Sequence, residues 1–346
     1  MTRPTAADAI DGIADGITAA PDAIDGTDGI DPMPGHVDPS ARIDPTAQLD
    51  PTAHIGPGAH IGPGAHIGPG ARLGAGVTLG PYAIVGAHSQ LAAGCHLEAH
   101  AVVGPHTTLG PRCRVSSFAV VGAAPQDRRT PPDAPHHLVC GADNHFREGS
   151  TVSRGTAHGG GITRLGDGNL LMTHSHVGHD CRLGDGCTLA NGVSLAGHVE
   201  VGDRVTFGGH AAVHQFCRVG TLALVAANAM VSRDVPPCTI AAGDRATLRG
   251  LNVTGLRRAG IPPDARRALA AAWRAIFRHG PRRAAAEALA ASPVAEVRAL
   301  AAFVLASPRG VARARADRGP AERPEPASEA ASDRPDRKTT PESNGG

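Results

Sequence analysis

The chain is expected to fold as an all-β solenoid, a parallel β-helix of hexapeptide repeats, closed by a small α-helical C-terminal domain. Three observations predict this. An aliphatic residue returns at every sixth position from Val37 to Val121, and again from Leu165 to Val231 with Phe207 as the one aromatic. The residues between are those that turns need, as in Ile61-Gly-Pro-Gly-Ala-His. From Pro262 the period changes to three and four, with Ala268, Leu269, Ala272, Trp273, Ile276 and Phe277 on one stripe.

A period of six is neither helical nor that of an ordinary strand, and it marks a solenoid. Each hexad supplies a short strand and a turn, and three hexads close one coil of a triangular prism. The first position points inward, and the small fifth position points inward near a corner. A narrow prism has little room for rings, in keeping with 2% aromatic residues. Residues 18 apart then share a face, one coil up, at the strand spacing of about 4.8 Å.

Taken in order, residues 1–36 read as an acidic arm too poor in apolar residues to build a core. Residues 37–245 form the solenoid, interrupted by loops at 123–137 and 153–164 that break the period. Residues 246–312 form the helical domain; Pro262 and Pro263 suit a first helical turn and Gly280-Pro281 ends that helix. Residues 313–346 read as a disordered tail rich in Pro, Glu, Asp, Ser and Arg. Of the seven cysteines, Cys95, Cys113, Cys181, Cys187 and Cys217 fall on the fifth position and read as buried fillers, unpaired.

Net charge is +1, with 33 Lys+Arg against 32 Asp+Glu. No basic stripe suggests nucleic acid, and no apolar run approaches a membrane span. The N-terminal stretch lacks the basic start and apolar core of a signal peptide, so a cytoplasmic protein is expected.

Position sorts the 19 histidines. His54, His60 and His66 lie on the outward sixth position and read as surface. Val177, Leu195 and Val213 are 18 apart, so the hexads holding His179, His198 and His214 stack, with His176 at the corner just before. Asp180 follows His179, and Gly197 lies one coil above His179. Such a cluster could bind Zn²⁺, or it could supply a general base with an orienting partner and an oxyanion donor. Spacing leaves both open. On the first loop, Gln126-Asp127-Arg128-Arg129 places a carboxylate beside two guanidinium groups.

Beyond the repeat, the blocks Leu170-Leu-Met-Thr-His-Ser-His176-Val-Gly-His179-Asp180-Cys, Leu195-Ala-Gly197-His198-Val, Val213-His214-Gln215-Phe216-Cys217 and Gly250-Leu-Asn252-Val-Thr-Gly-Leu-Arg-Arg258 are more specific. With Gly122-Ala-Ala-Pro-Gln126-Asp127 and Ser153-Arg-Gly-Thr-Ala-His-Gly-Gly-Gly161, they resemble the UDP-N-acetylglucosamine 3-O-acyltransferases of lipid A biosynthesis, over roughly residues 55–312. The resemblance implies a left-handed parallel β-helix and a homotrimer with sites between subunits. It implies transfer of an (R)-3-hydroxyacyl group from acyl carrier protein to UDP-N-acetylglucosamine, with no metal or cofactor. By position, His179 is the implied base, Asp180 its orienting partner and the Gly197 N–H the oxyanion donor. Gln126, Asp127, Arg129, His176, His198, His214 and Gln215 are implied substrate contacts, and Asn252 and Arg258 meet the nucleotide end. The sequence departs from the family at Arg129 (Lys elsewhere), Ser153 (His) and Thr254 (Glu), which leaves both a 3-hydroxyl and a 3-amino acceptor open. Ala227 replaces a Gly that helps set acyl length, which implies a shorter acyl pocket. A zinc hydratase of the γ-carbonic-anhydrase kind, a nonenzymatic scaffold and a later N-acyltransferase of the same pathway are the competing readings.

Overall fold

The computed structural model describes residues 35–131, 136–279 and 281–315. The expectations for residues 1–34 and 316–346 lie outside them. Two-residue strands recur every six residues and stack into three sheets of 10, 12 and 10 strands, parallel except for the last strand of the second. The register is the predicted one: Val177 pairs with Leu195 and Leu195 with Val213. The interior is the column of first- and fifth-position residues, with Phe146 and Phe207 its largest members, fully buried. All seven cysteines are buried and free.

The fourth position of most hexads is left-handed: Gly64 has φ 64° and His198 φ 61°. This conformation favours glycine, yet residues as different as Tyr82, His100 and Asp180 adopt it. Left-handed backbone at a corner is therefore a property of the coil and marks no function. It projects each fourth-position side chain outward above its equivalent one coil below. Rings there stack in columns, as Tyr82, His100 and Phe118 do at 5.3 Å between centroids. The Asp-Pro-Thr hexads near the start use different turn chemistry. There the Asp44 carboxylate accepts the Thr46 N–H at 2.9 Å and its hydroxyl at 2.6 Å.

Another column carries aspartates at the corner between the first and second sheets. Asp185 Oδ1 accepts the Asp167 N–H at 2.7 Å, and Asp203 Oδ1 accepts the Asp185 N–H at 2.9 Å. A Cβ on Gly184 would stand 2.0 Å from Asp203 Oδ1, so that position needs glycine. Burial pushes the Asp203 carboxyl up, against the lowering hydrogen bond from Asp185 and with further raising by the Asp185 charge. A raised carboxyl binds its proton more tightly in the folded state. Its contribution is present below the unfolded pKa and lost as pH rises through the folded one. Asp203→Asn keeps the acceptor and removes the charge. It is expected to stabilise the protein at neutral pH by up to about 1 kcal/mol after solvent screening, and not at pH 3; thermal melts at the two values check this.

The two loops replace two successive turns at the corner between the third and first sheets. The first leaves strand Val120–Ala123 and returns at His137–Cys140; the second leaves Thr151–Ser153 and returns at Ile162–Leu165. Between them one complete coil keeps the hexad through Cys140, Phe146 and Val152, all buried. The solenoid ends where Thr239–Ala242 pairs with antiparallel Thr247–Leu251. Helices follow at Val253–Arg258, Pro263–Phe277, Arg282–Leu289 and Ala295–Leu305. The first precedes the helical stripe expected from Pro262, because Asn252 caps a segment too short to show a period. The ordered chain runs past 313: Leu248 donates its N–H to the Arg313 carbonyl at 2.8 Å, and Arg315 donates back to Leu248 at 3.0 Å.

Candidate active site

Strand His176–Val177 of the third sheet delivers its turn to the same corner as both loops, directly after the second of them. The turn carries His179 at its third position and Asp180 at its fourth. One coil on, His198 takes the fourth position, and Phe216 takes it in the next. Asp180, His198 and Phe216 therefore form a corner column like those elsewhere, here with reactive side chains.

Asp180 is buried, and four contacts fix it. Oδ2 accepts from His179 Nδ1 at 2.7 Å and from the Thr156 hydroxyl at 2.6 Å. Oδ1 accepts the Thr156 N–H at 2.8 Å, and the Asp180 N–H donates to Thr163 Oγ1 at 2.8 Å. With Nδ1 of His179 donating to a carboxylate, Nε2 carries the lone pair. His198 stands edge-on to His179 at 5.1 Å and stacks on Phe216 at 4.5 Å. Its Nε2 lies 3.7 Å from Asp180 Oδ2. Burial pushes the His198 ring down, and the neighbouring His179, His158 and Arg129 add to this against the raising effect of Asp180. The His176 ring is likewise pushed down, first by burial and then by His179. Both are neutral hydrogen-bonding rings at neutral pH.

Gly197 lies against the His179 ring, one coil above it. A Cβ there would stand 2.6 Å from Cε1, 2.8 Å from Nε2 and 3.1 Å from Nδ1 of His179. Its N–H makes no hydrogen bond among the described residues. The loops add the fourth wall. Asp127 and Arg129 form a two-pronged pair, Nη2 to Oδ2 at 2.7 Å and Nε to Oδ1 at 3.1 Å. Hydrogen bonds from Arg129 hold the Asp127 carboxyl well below the usual carboxylate range.

The structure thus brings together His179, Asp180, Gly197, His198, Asp127 and Arg129, with Gln126 exposed on the same loop. His176 lies on the adjoining face of the third sheet, its Nδ1 2.8 Å from Thr151 Oγ1. His214 and Gln215 are exposed one coil above His198, and His214 Nδ1 turns to the Gln215 carbonyl at 3.1 Å. Spacing gathers four imidazoles, His176, His179, His198 and His214, but the close trio has a different membership. It is His158, His179 and His198, with His158 centred 6.3 Å from His179 and 6.0 Å from His198. His158 and Thr156 went unassigned from sequence because the loop that carries them has no period. Ala227 stands exposed at the corner between the second and third sheets. Asn252 sits at the corner between the first and second, its Nδ2 on the Leu222 carbonyl at 2.9 Å and its Oδ1 accepting the Gly255 N–H at 3.0 Å. Arg258 is exposed beyond it. Within one chain, these three do not share the corner of His179.

His179, Asp180 and His198 offer ligand atoms within 4.8 Å of one another. Asp180 Oδ2 is already committed to two short hydrogen bonds, which suits an oriented base better than a metal ligand.

A family model described as "Udp N-acetylglucosamine O-acyltransferase; Domain 2" matches residues 234–312, and one for bacterial transferase hexapeptide repeats matches 37–75, 60–93 and 162–197. The acyl-[acyl-carrier-protein]–UDP-N-acetylglucosamine O-acyltransferase of Alkalilimnicola ehrlichii is 44% identical over 192 residues, 55% of this chain and 74% of the relative. That of a Janthinobacterium species is 42% identical over 198 residues, 55% of this chain and 75% of the relative. Among solved structures, the UDP-N-acetylglucosamine O-acyltransferase of Moraxella catarrhalis is 34% identical with a TM-score of 0.66, covering 81% of this chain and 100% of that one. The UDP-N-acetylglucosamine acyltransferase of Arabidopsis is 33% identical with a TM-score of 0.73, covering 79% and 100%.

Proposed function

Because the chain belongs to the UDP-N-acetylglucosamine O-acyltransferase family, we propose that it transfers an (R)-3-hydroxyacyl group from acyl carrier protein to the 3-hydroxyl of UDP-N-acetylglucosamine, the first step of lipid A biosynthesis. The observation that carries this reading is the buried Asp180 carboxylate paired with His179 Nδ1 at 2.7 Å, above a corner lined by the Asp127–Arg129 pair.

A sugar hydroxyl is a weak nucleophile at neutral pH. As its oxygen attacks the thioester carbonyl, His179 Nε2 takes the hydroxyl proton, and the Asp180 carboxylate stabilises the imidazolium that forms. Negative charge develops on the carbonyl oxygen, which the Gly197 N–H can meet. Collapse of the tetrahedral intermediate breaks the carbon–sulfur bond, and the imidazolium returns its proton to the departing thiolate. Asp127 and Arg129 present an acceptor and a donor fork to the sugar nucleotide. Phe216 gives the site an apolar wall, 49% exposed.

The assembly is a homotrimer in this reading, with sites completed between subunits. The outward positions of the third sheet support it. From Gln48 through Ile84, Val102, His176 and Ala212 to Met230 they hold no Asp, Glu, Lys or Arg. The first sheet carries Arg72, Arg164, Arg182, Glu200 and Arg218 at the same positions. An uncharged face with Ile84 and Met230 40% and 51% exposed suits self-association. In this reading Ala227, Asn252 and Arg258, which stand away from His179 within one chain, serve the site of a neighbouring subunit. Met230→Glu is expected to shift the sedimenting species from trimer toward monomer; an unchanged trimer counts against this face.

The helical domain supports carrier-protein docking. Between 253 and 315 its only acids are Asp264, Glu287 and Glu296, against exposed Arg257, Arg258, Arg267, Arg274 and Arg283. Such a surface draws a partner of negative charge. No helix among the described residues is long and apolar enough to cross a membrane, and we place the reaction in the cytoplasm.

The deciding experiment supplies purified protein with UDP-N-acetylglucosamine and a ladder of (R)-3-hydroxyacyl carrier proteins. Transfer to the sugar 3-hydroxyl is expected, with the ladder giving acyl preference at the Ala227 end. Transfer only to a 3-amino analogue would move the acceptor; no transfer to either would overturn the reading.

A further inference from the structure

The buried turn that ends the second loop touches both halves of the site. It carries Thr156, fully buried, as the cap of a short 3₁₀ turn over Ala157–Gly159. Thr156 spends both of its donors on one carboxylate: its N–H on Asp180 Oδ1 at 2.8 Å and its hydroxyl on Oδ2 at 2.6 Å. Its oxygen in turn accepts the Gly159 N–H at 3.2 Å. Gly159 lies against the same group, where a Cβ would stand 2.0 Å from Asp180 Cγ. Two residues along, His158 reaches the other way. Its Nε2 is 3.0 Å from Asp127 Oδ2 and 2.9 Å from Arg129 Nη2, and 3.3 Å from Thr156 Oγ1. A single ring nitrogen either donates to that carboxylate or accepts from that guanidinium, and both geometries are in place.

We propose that Thr156 and His158 are positioning residues for the transfer: Thr156 aims the Asp180 carboxylate at His179, and His158 holds the Asp127–Arg129 pair over the same site. This rests on the acyl-transfer reading above. A carboxylate with two lone-pair-bearing oxygens can turn about its Cβ–Cγ bond. The two donors of Thr156, one per oxygen, fix the rotation that leaves Oδ2 facing His179 Nδ1. Without the hydroxyl, Oδ2 keeps His179 alone, and the base loses its fixed orientation. The loop pair, by contrast, is held from outside the backbone by the His158 ring, so its loss affects sugar binding first.

The two halves give separable results. Thr156→Val keeps the volume and the backbone N–H. It is expected to lower kcat roughly 10- to 100-fold, the size of a hydrogen bond to a charged group, with KM for UDP-N-acetylglucosamine within about 2-fold of wild type. Thr156→Ser restores the hydroxyl and should return most of the rate. His158→Ala should raise that KM by roughly 10-fold and leave kcat much closer to wild type. Wild-type kcat in Thr156→Val, or a Ser variant as impaired as Val, overturns the Thr156 assignment; an unchanged KM in His158→Ala overturns the other. If the wild type itself transfers nothing, the acyl-transfer reading has failed. A crystal structure of Thr156→Val then decides the inference by itself, since an Asp180 carboxylate still facing His179 Nδ1 overturns it and a rotated one upholds it.

Discussion

His179→Ala is expected to lower kcat by roughly 10²- to 10⁴-fold, the contribution of a positioned general base, with little change in KM for the sugar nucleotide. The loss falls on kcat because proton removal is needed only as the carbon–oxygen bond forms. Asp127 and Arg129, the proposed sugar contacts, do not depend on His179 for their geometry; they pair with each other and with His158. The fold should be indifferent. His179 occupies the third position of its hexad, where Ala75, Ala93 and Ala99 serve in other coils. Among the described residues its side chain makes one hydrogen bond, to Asp180, and that carboxylate retains both donors of Thr156. Steady-state kinetics beside sedimentation and thermal melts check this. A folded variant with wild-type kcat would remove His179 from the reaction.

Gly197→Ala should be nearly as damaging, for a steric reason. The added methyl would press on the His179 ring, within 2.6 to 3.1 Å of three of its atoms. The ring cannot lift away without stretching its 2.7 Å bond to Asp180, which is itself pinned by Thr156. Either the base tilts or the turn shifts, and the turn carries the N–H assigned to the oxyanion. A loss of roughly 10²- to 10³-fold in kcat follows. The solenoid accepts alanine at this third position in other coils, so the melting temperature should hardly move. Because both variants disable the same base, the double variant should be scarcely worse than His179→Ala alone. A strictly multiplicative double variant would show that Gly197 and His179 act apart.

Much of the molecule is legible in the chain because the repeat has a fixed period. One strand per six residues and one coil per 18 predict the Cα pairings within each uninterrupted run, and His179 under Gly197 follows from that count alone. The helical stripe of Trp273, Ile276 and Phe277 is legible for the same reason, since all three are buried on one side of a 15-residue helix. Where the period fails, so does inference by counting. The helix Val253–Arg258 is too short for a stripe. His158 lies on a loop without a period, and His214, in register with the cluster, turns to the Gln215 carbonyl.

The sequence by itself determined the solenoid, its register, the column in which Asp180 and His198 stand, and the family resemblance that singled out His179. These depend on local turn chemistry and on a spacing that is constant along the chain. Only the tertiary structure decided that both loops emerge at one corner, that Thr156 and His158 meet Asp180 and Asp127 there, and that Asn252 and Arg258, beyond the repeat, stand away from that corner. Those placements depend on the path of aperiodic backbone and on which donors find a buried carboxylate, and neither is encoded in the spacing of residues.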